Sequence, residues 1–470
     1  MKNRKLKMDN YLRKSLWLCL SAVSMLAFAS ASFGQKETPP AGGPPKPFVF
    51  PKQDTYTLPN GMKVTLVQYG SIPKVAFQTV IYSGTKDDAK GKRGVSEMTG
   101  MMLKEGTKSR SAEQLALETA NMGGSINVGT GTDSTNISGE VLSEFDVKFL
   151  ELLADVVLNP NFKQEDLDRL KANKLRSLAV ARTQAGNQAW EKFRSIAFAG
   201  HPYSQINPQD DEVKGYTLDD LRGFYANNYG AARTHLYIVG QFDAAALKSA
   251  ISKAFGGWAK GTAATRNVPA INAKRSLSVI DRPGSPQSAI YLGMPAVSPS
   301  DADFIKFTVM DSLLGSSFGS RITSNIRENK GYTYSPNSFV WSRFKTGYWI
   351  ENADVTTEAT GASIKEILFE IDRLQKEPPS EAEMQGIKNY LVGIYVLQNS
   401  SRNGVIGQLE SGNYNELSKD HIDTYIQKIA AVTPADVSAM AKKYLTTDKM
   451  TIVVVGDHSK IDEQLKPYGN

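Results

Sequence analysis

The chain of 470 residues holds 55 Lys and Arg side chains against 48 Asp and Glu side chains, which gives a formal net charge of +7. Six basic residues and Asp9, all within the first 14 residues, account for +5 of that charge. The rest of the chain is therefore close to neutral, so nothing in its charge points to nucleic acid or an anionic membrane as a partner. The single cysteine, Cys19, excludes a disulfide framework.

The N-terminus has the pattern of a secretory signal. A basic stretch precedes the apolar run 16–28, and Ala29-Ser30-Ala31 matches a cleavage site of small residues. The apolar run is shorter than the ~20 residues that a membrane-spanning helix needs. We therefore expect residues 1–31 to be a cleaved signal peptide and the protein to be exported, to the periplasm of a Gram-negative bacterium; an uncleaved signal that anchors the chain is the alternative. Residues 32–52, rich in Pro and Gly, are expected to form a linker.

The next segments predict strands and one short helix. Residues 56–67 alternate polar and apolar side chains around Asn60-Gly61, which predicts a β-hairpin. After a glycine-rich turn, Val95, Met98 and Met102 recur at helical spacing, which predicts a short helix with one apolar face.

The chain also contains an internal repeat. Residues 150–175 read as an amphipathic helix, a Pro-containing loop and a helix with an acidic first turn, and residues 367–391 repeat this order. Residues 218–240 read as a capped helix and a buried strand ending in glycine, which residues 433–456 repeat. Two homologous α+β domains are therefore predicted. The apolar helical stretch 390–398 is expected to lie in the core.

Residues 94–107 closely resemble the zinc helix of the pitrilysin/insulinase (M16) metallopeptidases in their frame, but not in their chemistry. That motif has two His ligands at i and i+4, so that both imidazoles reach one metal, and a catalytic Glu between them. In this chain the two His positions hold Glu97 and Met101, and the catalytic Glu position holds Gly100. The frame is present and its functional groups are replaced.

The third zinc ligand of the family is also missing. Its position falls near Ser177, and no Asp or Glu occurs between Asp168 and Glu191. A catalytic zinc needs three protein ligands and an open position for water. We therefore expect no metal and no other cofactor in this chain, with Glu97 an ion-paired or solvated side chain.

The resemblance extends from about residue 56 to the C-terminus. It implies two homologous domains, each a mostly antiparallel sheet covered by helices, that face one another across a cavity. The predicted boundaries are an N-terminal domain at 53–258, a linker at 259–273 and a C-terminal domain at 274–470.

A glycine-rich stretch is a candidate peptide-binding strand. Residues 123–133 resemble the edge strand to which family members add an extended substrate peptide by backbone hydrogen bonds. The resemblance implies Gly124, Ser125 and Asn127 as substrate-binding residues. The alternative is an ordinary strand of the first sheet that contains several glycines and binds no peptide.

Residues 326–335 resemble the family's Arg-Glu-x-x-Gly-Leu-x-Tyr-Ser signature. The resemblance implies that Arg327 and Tyr334 reach across the cavity to a substrate bound at zinc. A phenol can donate to a carbonyl oxygen that becomes an oxyanion, and a guanidinium can hold peptide carbonyls with several donors. The alternative is structural, with Arg327 in a salt bridge near a helix end and Tyr334 packed in a strand.

The family contains heterodimers in which one subunit keeps the zinc motif and the other keeps the Arg/Tyr pair. This chain looks like the second kind. We therefore expect a subunit that is inactive alone and completes the active site of an M16 partner with an intact zinc motif, for the hydrolysis of short unfolded peptides. A peptide-binding or scaffolding pseudopeptidase without a catalytic partner is the alternative, and a metalloenzyme that uses Glu97 with unforeseen ligands is a third hypothesis.

Overall fold

The computed structural model describes residues 49–469. The predicted signal peptide and residues 32–48 of the predicted linker lie outside this part of the chain, so both stay predictions. No helix within residues 49–469 combines the length and the apolar character needed to cross a bilayer.

The first half builds a six-stranded sheet with helices. Its strands are β1 (Asp54–Thr57), β2 (Lys63–Gln68), β3 (Lys74–Ile81), β4 (Ser125–Thr130), β5 (Thr135–Leu142) and β6 (Thr234–Gly240). Their order is β1-β2-β6-β3-β5-β4, with only the β2–β6 pair parallel. Its helices are α1 (Val95–Met102), α2 (Ala112–Asn121), α3 (Asp146–Leu158), α4 (Gln164–Arg182), α5 (Ala185–Ala197), α6 (Asp210–Lys214), α7 (Leu218–Asn228) and α8 (Ala244–Phe255).

The second half builds a five-stranded sheet of related topology. Its strands are β7 (Ser276–Asp281), β8 (Gln287–Ala296), β9 (Asn337–Arg343), β10 (Thr346–Thr356) and β11 (Thr451–Gly456), in the order β7-β11-β8-β10-β9. Its helices are α9 (Phe304–Asp311), α10 (Thr360–Lys376), α11 (Glu381–Gln398), α12 (Arg402–Tyr414), α13 (Lys419–Asp423), α14 (Tyr425–Ala431), α15 (Pro434–Tyr444) and α16 (His458–Leu465).

The two halves repeat one plan. In each, a parallel pair is followed by antiparallel neighbours, and β9 takes the edge position in the second sheet that β4 takes in the first. The predicted hairpin is the β1–β2 pair. The predicted caps form as well: Thr217 accepts from the amide of Asp220 at 3.2 Å, and Thr433 accepts from that of Asp436 at 3.1 Å. The predicted α+β class is confirmed, while the exact domain boundaries stay predictions.

One helix of each half packs on the sheet of the other half. Helix α5 packs on β8 and β11 of the second sheet, where Phe193 contacts a buried group that includes Tyr348 and Val453. Helix α12 packs on β3 and β6 of the first sheet, and Arg402 binds Glu140 through two contacts of 3.2 Å. Both sheets are thus covered on a second face by a helix from the opposite half, and residues 49–469 belong to one compact unit.

The segment between the halves is held by aromatic rings. The guanidinium carbon of Arg266 lies 5.4, 4.9 and 5.2 Å from the ring centroids of Tyr82, Phe344 and Tyr414. The same guanidinium donates to the carbonyl of Tyr414 at 2.8 Å. Cation–π contacts of this kind stabilise a partly buried arginine. A cavity of about 400 Å³ beside it is lined by residues of both halves, among them Tyr82, His235 and Phe344.

One expectation about the core is confirmed only in part. Within the stretch 390–398 of α11, Tyr395 is buried and Leu391 and Val392 pack partly buried against the core, whereas Leu397 is 67 % exposed. The helix packs against α9 and α14 along one side and leaves its opposite apolar side uncovered within residues 49–469. Helical spacing predicts an apolar face, but which part of that face is covered depends on the neighbouring helices.

Candidate functional site

Helix α1 carries the residues that resemble the M16 zinc helix, with Glu97, Gly100 and Met101 at the motif positions. Its predicted apolar face is confirmed, because Val95, Met98 and Met102 are buried in the core of the first half. The helix begins after Gly94, whose φ of +85° suits glycine. The carboxylate of Asp88 accepts from the amides of Gly94 at 2.7 Å and Ser96 at 2.8 Å, and burial raises the pKa of Asp88 to about 6.

An ion pair occupies the position of the first zinc ligand. The ammonium of Lys174, on α4, lies 2.6 Å from a carboxylate oxygen of Glu97. Lys174 is three residues from Ser177, where the family's third ligand was expected. An ammonium in direct contact with the carboxylate both neutralises it and repels a second cation. Residues 49–469 contain no group of three or more His, Cys, Asp or Glu side chains arranged to hold a metal.

The other two motif positions are equally unsuited to zinc chemistry. A Cβ atom at Gly100 would lie 2.3 Å from the hydroxyl oxygen of Thr130 on β4, so a larger residue there requires that hydroxyl to move aside. Met101 packs partly buried against the core of the first half. A thioether, a glycine and a neutralised carboxylate do not match the nitrogen, oxygen and thiolate donors that zinc takes. The residues present therefore do not fit a zinc centre.

The Glu97–Lys174 pair is expected to stabilise this face without a metal. In a double-mutant cycle with Glu97→Gln and Lys174→Met, we expect a coupling of about 1 kcal/mol in the free energy of unfolding. The exposed Lys376–Asp372 pair on α10, at 2.7 Å, is the control and should give about 0.3–0.5 kcal/mol. Urea unfolding measures both. A coupling no larger than that of the control, or a melting temperature that falls when a chelator is added to the wild type, would contradict this role.

Strand β4 lies at the edge of the first sheet, as the resemblance implied. It pairs only with β5 among residues 49–469, so its outer edge is open. Ser125 and Asn127 are exposed on one face of the strand. The side-chain amide of Asn127 donates to the hydroxyl of Ser125 at 3.4 Å. A Cβ at Gly124 would lie 2.1 Å from the carbonyl oxygen of Glu140. Gly124 therefore allows β4 to approach β5, and peptide binding by these residues stays a prediction.

Arg327 and Tyr334 belong to a segment of unusual backbone. Residues Ser312–Ser316 and Thr323–Asn329 both form π-helical turns, which are wider than α-helical turns and occur frequently at functional sites. Arg327 lies on the second of these turns. Thr333 then bridges to Val355 of β10, before β9 begins at Asn337.

The residues between that bridge and β9 form a bulge. Asn337 pairs with Asn352 and Thr333 pairs with Val355, so the three residues 334–336 face the two residues 353–354. A bulge redirects side chains at a sheet edge. Tyr334 is 80 % exposed as a result. The structural alternative, in which Tyr334 packs within a strand, does not hold.

The structure brings Arg327 and Tyr334 together and adds Phe318. The guanidinium carbon of Arg327 lies 5.0 Å from the ring centroid of Tyr334 and 4.4 Å from that of Phe318. Phe318 was missed in the sequence, where its one signal is an aromatic residue within the run Gly315-Ser-Ser-Phe-Gly319. No hydrogen bond or ion pair within residues 49–469 joins this group to Glu97 or Lys174.

A buried pair of acids lies on the other side of the first π-turn. Asp311 accepts from the hydroxyl of Ser338 at 2.5 Å and from the indole of Trp349 at 2.6 Å. Glu351 is fully buried, and its oxygens have no hydrogen-bond partner of good geometry among residues 49–469. A Cβ at Gly315 would lie 2.8 Å from Glu351, so the π-turn packs directly on this carboxyl. Burial raises the pKa of Asp311 to about 6, and burial together with the charge of Asp311 raises the pKa of Glu351 well above its ordinary value.

The acid pair is expected to make the free energy of unfolding depend on pH. A carboxyl whose pKa is higher in the folded state keeps its proton on folding, so its contribution is complete below the unfolded pKa of about 4 and is lost as the pH rises. We expect Glu351→Gln to match the wild type near pH 4 and to be more stable at pH 8 by at least about 1 kcal/mol. Urea unfolding at both pH values measures this, with the exposed Glu358→Gln as control. Parallel pH profiles for wild type and Glu351→Gln would show that Glu351 is not proton-linked.

Comparison with known proteins places this geometry in a family. Residues 63–208 match the model described as insulinase (peptidase family M16), and residues 215–391 match that of the peptidase M16 inactive domain. The chain is 23% identical over 377 residues to the non-peptidase homolog YmxG of Helicobacter pylori, across 79% of this chain and 86% of that protein. It is 25% identical over 424 residues to mitochondrial-processing peptidase subunit beta of Blastocladiella emersonii, across 86% of this chain and 89% of that one.

A solved structure shows the same fold. The crystal structure of a peptidase M16 inactive domain from Pseudomonas fluorescens matches with a TM-score of 0.81 at 24% identity, across 86% of this chain and 98% of that chain. At this level of identity the likeness speaks for the fold alone. The two matched family models, which together cover most of the sequence, show that the chain belongs to peptidase family M16, with residues 215–391 matching the domain of that family described as inactive.

Proposed function

We propose that this protein is the non-catalytic subunit of a heterodimeric M16 zinc peptidase. The observation that carries the proposal is a contrast within one chain. Arg327 and Tyr334 lie side by side on an exposed bulge, whereas the zinc frame holds a Glu97–Lys174 ion pair. The chain keeps groups that can act on a substrate and lacks the groups that would hold the metal.

The two exposed side chains suit the transition state of peptide hydrolysis. The hydroxyl of Tyr334 makes no hydrogen bond within residues 49–469 and can donate to a carbonyl oxygen as negative charge develops on it. Removing one such donor typically costs 10²–10³-fold in kcat, about 2.7–4 kcal/mol. The guanidinium of Arg327 has one ion pair, with Glu328 at 3.5 Å, which leaves other donors for peptide carbonyls.

In this proposal the partner supplies the remaining chemistry. An M16 subunit with an intact zinc motif would hold the zinc, its water and the general base, and short unfolded peptides would be the substrates. Export to the periplasm by the N-terminal signal would place both subunits in one compartment. One relative is named a subunit of a processing peptidase and another a non-peptidase homologue, and a subunit that acts only with a partner agrees with both names.

A pull-down of the tagged full chain from its native host, followed by mass spectrometry and zinc analysis, tests the proposal. We expect a second M16 chain with an intact His-x-x-Glu-His motif in equal amount, with zinc that follows that chain. Peptide hydrolysis should require both chains. Recovery of this chain alone, with no peptidase activity restored by any co-purifying protein, would contradict the proposal.

A peptide-binding or scaffolding pseudopeptidase is the second candidate. The open edge of β4 favours it, because strand addition there needs no metal. Under this function the chain would bind unfolded peptides alone. Tyr334→Phe would then change neither peptide binding nor any turnover of the peptide, which separates the scaffold function from the first candidate.

A further inference from the structure

We propose that Phe318 and Tyr334 form an aromatic clamp around Arg327 that selects a large apolar side chain of the bound peptide. This inference rests on the proposed function in taking a peptide as the ligand of Arg327. It adds a specificity-determining residue, Phe318, and a substrate class, peptides with an aromatic or large aliphatic residue beside the carbonyl that Arg327 holds.

The two rings of the clamp lie on an exposed surface. Phe318 is 74 % exposed, and both its ring and that of Tyr334 flank the same guanidinium. Stacking on rings covers the faces of a guanidinium and leaves its N–H donors, which lie in the plane, free to point outward. Arg327 therefore presents donors while the two rings present apolar surface next to them.

Phe318 has no evident role in holding the fold together. Among residues 49–469 it belongs to none of the buried clusters, and its ring contact there is with Arg327. A Cβ at the next residue, Gly319, would meet nothing within 4 Å, so the loop around the ring is open. Burying a phenylalanine side chain removes apolar surface from water and so stabilises a complex. An exposed ring in this position can contribute that energy only when a ligand covers it.

The neighbouring edge strand indicates an extended peptide as that ligand. Strand β9 begins at Asn337, three residues after Tyr334, and pairs only with β10 among residues 49–469. Its open edge offers backbone donors and acceptors to an added strand. The in-plane donors of Arg327 suit backbone carbonyls, and the rings suit a side chain. An extended peptide supplies all three partners at once.

Two labelled nonapeptides that differ only in one central residue, Phe or Ala, test the clamp. Binding of each to the full chain is measured by fluorescence anisotropy. We expect the wild type to bind the Phe peptide about tenfold more tightly than the Ala peptide, and Phe318→Ala to reduce this ratio to about two or less. Phe318→Leu should give an intermediate ratio. Phe369→Ala, which removes another half-exposed ring of the second half, is the matched control and should keep the wild-type ratio.

The same ratio is then measured as kcat/KM with the recovered complex. Tyr334→Phe keeps the ring, so it should lower turnover of both peptides equally and preserve the ratio. If the wild type binds the Phe peptide about tenfold more tightly but no complex shows peptidase activity, the clamp is supported and the proposed function is contradicted. The clamp is overturned if wild-type ratios are near one in both measurements, or if Phe318→Ala weakens both peptides equally, since Phe318 would then only position Arg327. It is also overturned if Phe318→Ala leaves the ratio intact, whether or not the two subunits dissociate.

Discussion

Replacing Tyr334 with phenylalanine is expected to lower the kcat of the two-subunit peptidase by about 10²–10³-fold. The change removes one hydroxyl from an exposed ring that makes no hydrogen bond within residues 49–469, so the fold and the stacking on Arg327 should persist. The lost group is the donor to the developing oxyanion. Steady-state kinetics of the complex with a fluorogenic peptide measure the effect, and gel filtration shows that the subunits stay together.

Tyr390→Phe is the matched control for this result. Tyr390 is also an exposed tyrosine of the second half, on α11, and it lies outside the segment 312–335. It should leave kcat unchanged. If Tyr334→Phe retains full turnover in an intact complex, Tyr334 has no role in catalysis and the scaffold function gains support.

Replacing Gly124 with alanine is expected to destabilise the first half by about 1–3 kcal/mol. The new Cβ would lie 2.1 Å from the carbonyl oxygen of Glu140, and backbone atoms cannot move aside as a flexible side chain can. Strand β4 must shift away from β5, which weakens the pairing that keeps the edge strand in place. Urea unfolding measures the loss.

Gly129→Ala, in the same strand, is the control. A Cβ there would meet nothing within 4 Å, and exchanging glycine for alanine in a strand reduces the entropy of the unfolded chain. Its stability should equal or slightly exceed that of the wild type. Equal stability of the Gly124→Ala and Gly129→Ala variants would show that β4 does not depend on its close approach to Glu140.

The poor fit of this helix face to a zinc centre has a physical basis in the structure. A carboxylate left alone on α1 would be partly buried without a counter-ion, which is costly. Lys174 provides that counter-ion from α4 at 2.6 Å. The hydroxyl of Thr130 lies where a Cβ atom at Gly100 would come within 2.3 Å of it. We infer that this face has become a packed element of the domain rather than an open metal site.

The sequence by itself determined the elements and their repetition. Capping residues such as Thr217 and Thr433, the apolar spacing of α1 and the turn at Asn60-Gly61 are local signals, because each acts between residues a few positions apart. These signals were sufficient to predict two copies of one α+β plan. The resemblance of residues 94–107 and 326–335 to known motifs then pointed to the missing ligands and to the Arg327–Tyr334 pair.

Only the tertiary structure decided which distant groups meet. Lys174 reaches Glu97 across 77 residues of sequence, and α5 and α12 each cross to the opposite sheet. The exposure of α11 and the stacking of Phe318 on Arg327 likewise depend on how helices and turns pack. Hydrophobic spacing shows that a face is apolar, but it carries no information on which partner covers it. That choice is made by long-range packing, in which the energy of each contact depends on elements far away in the chain.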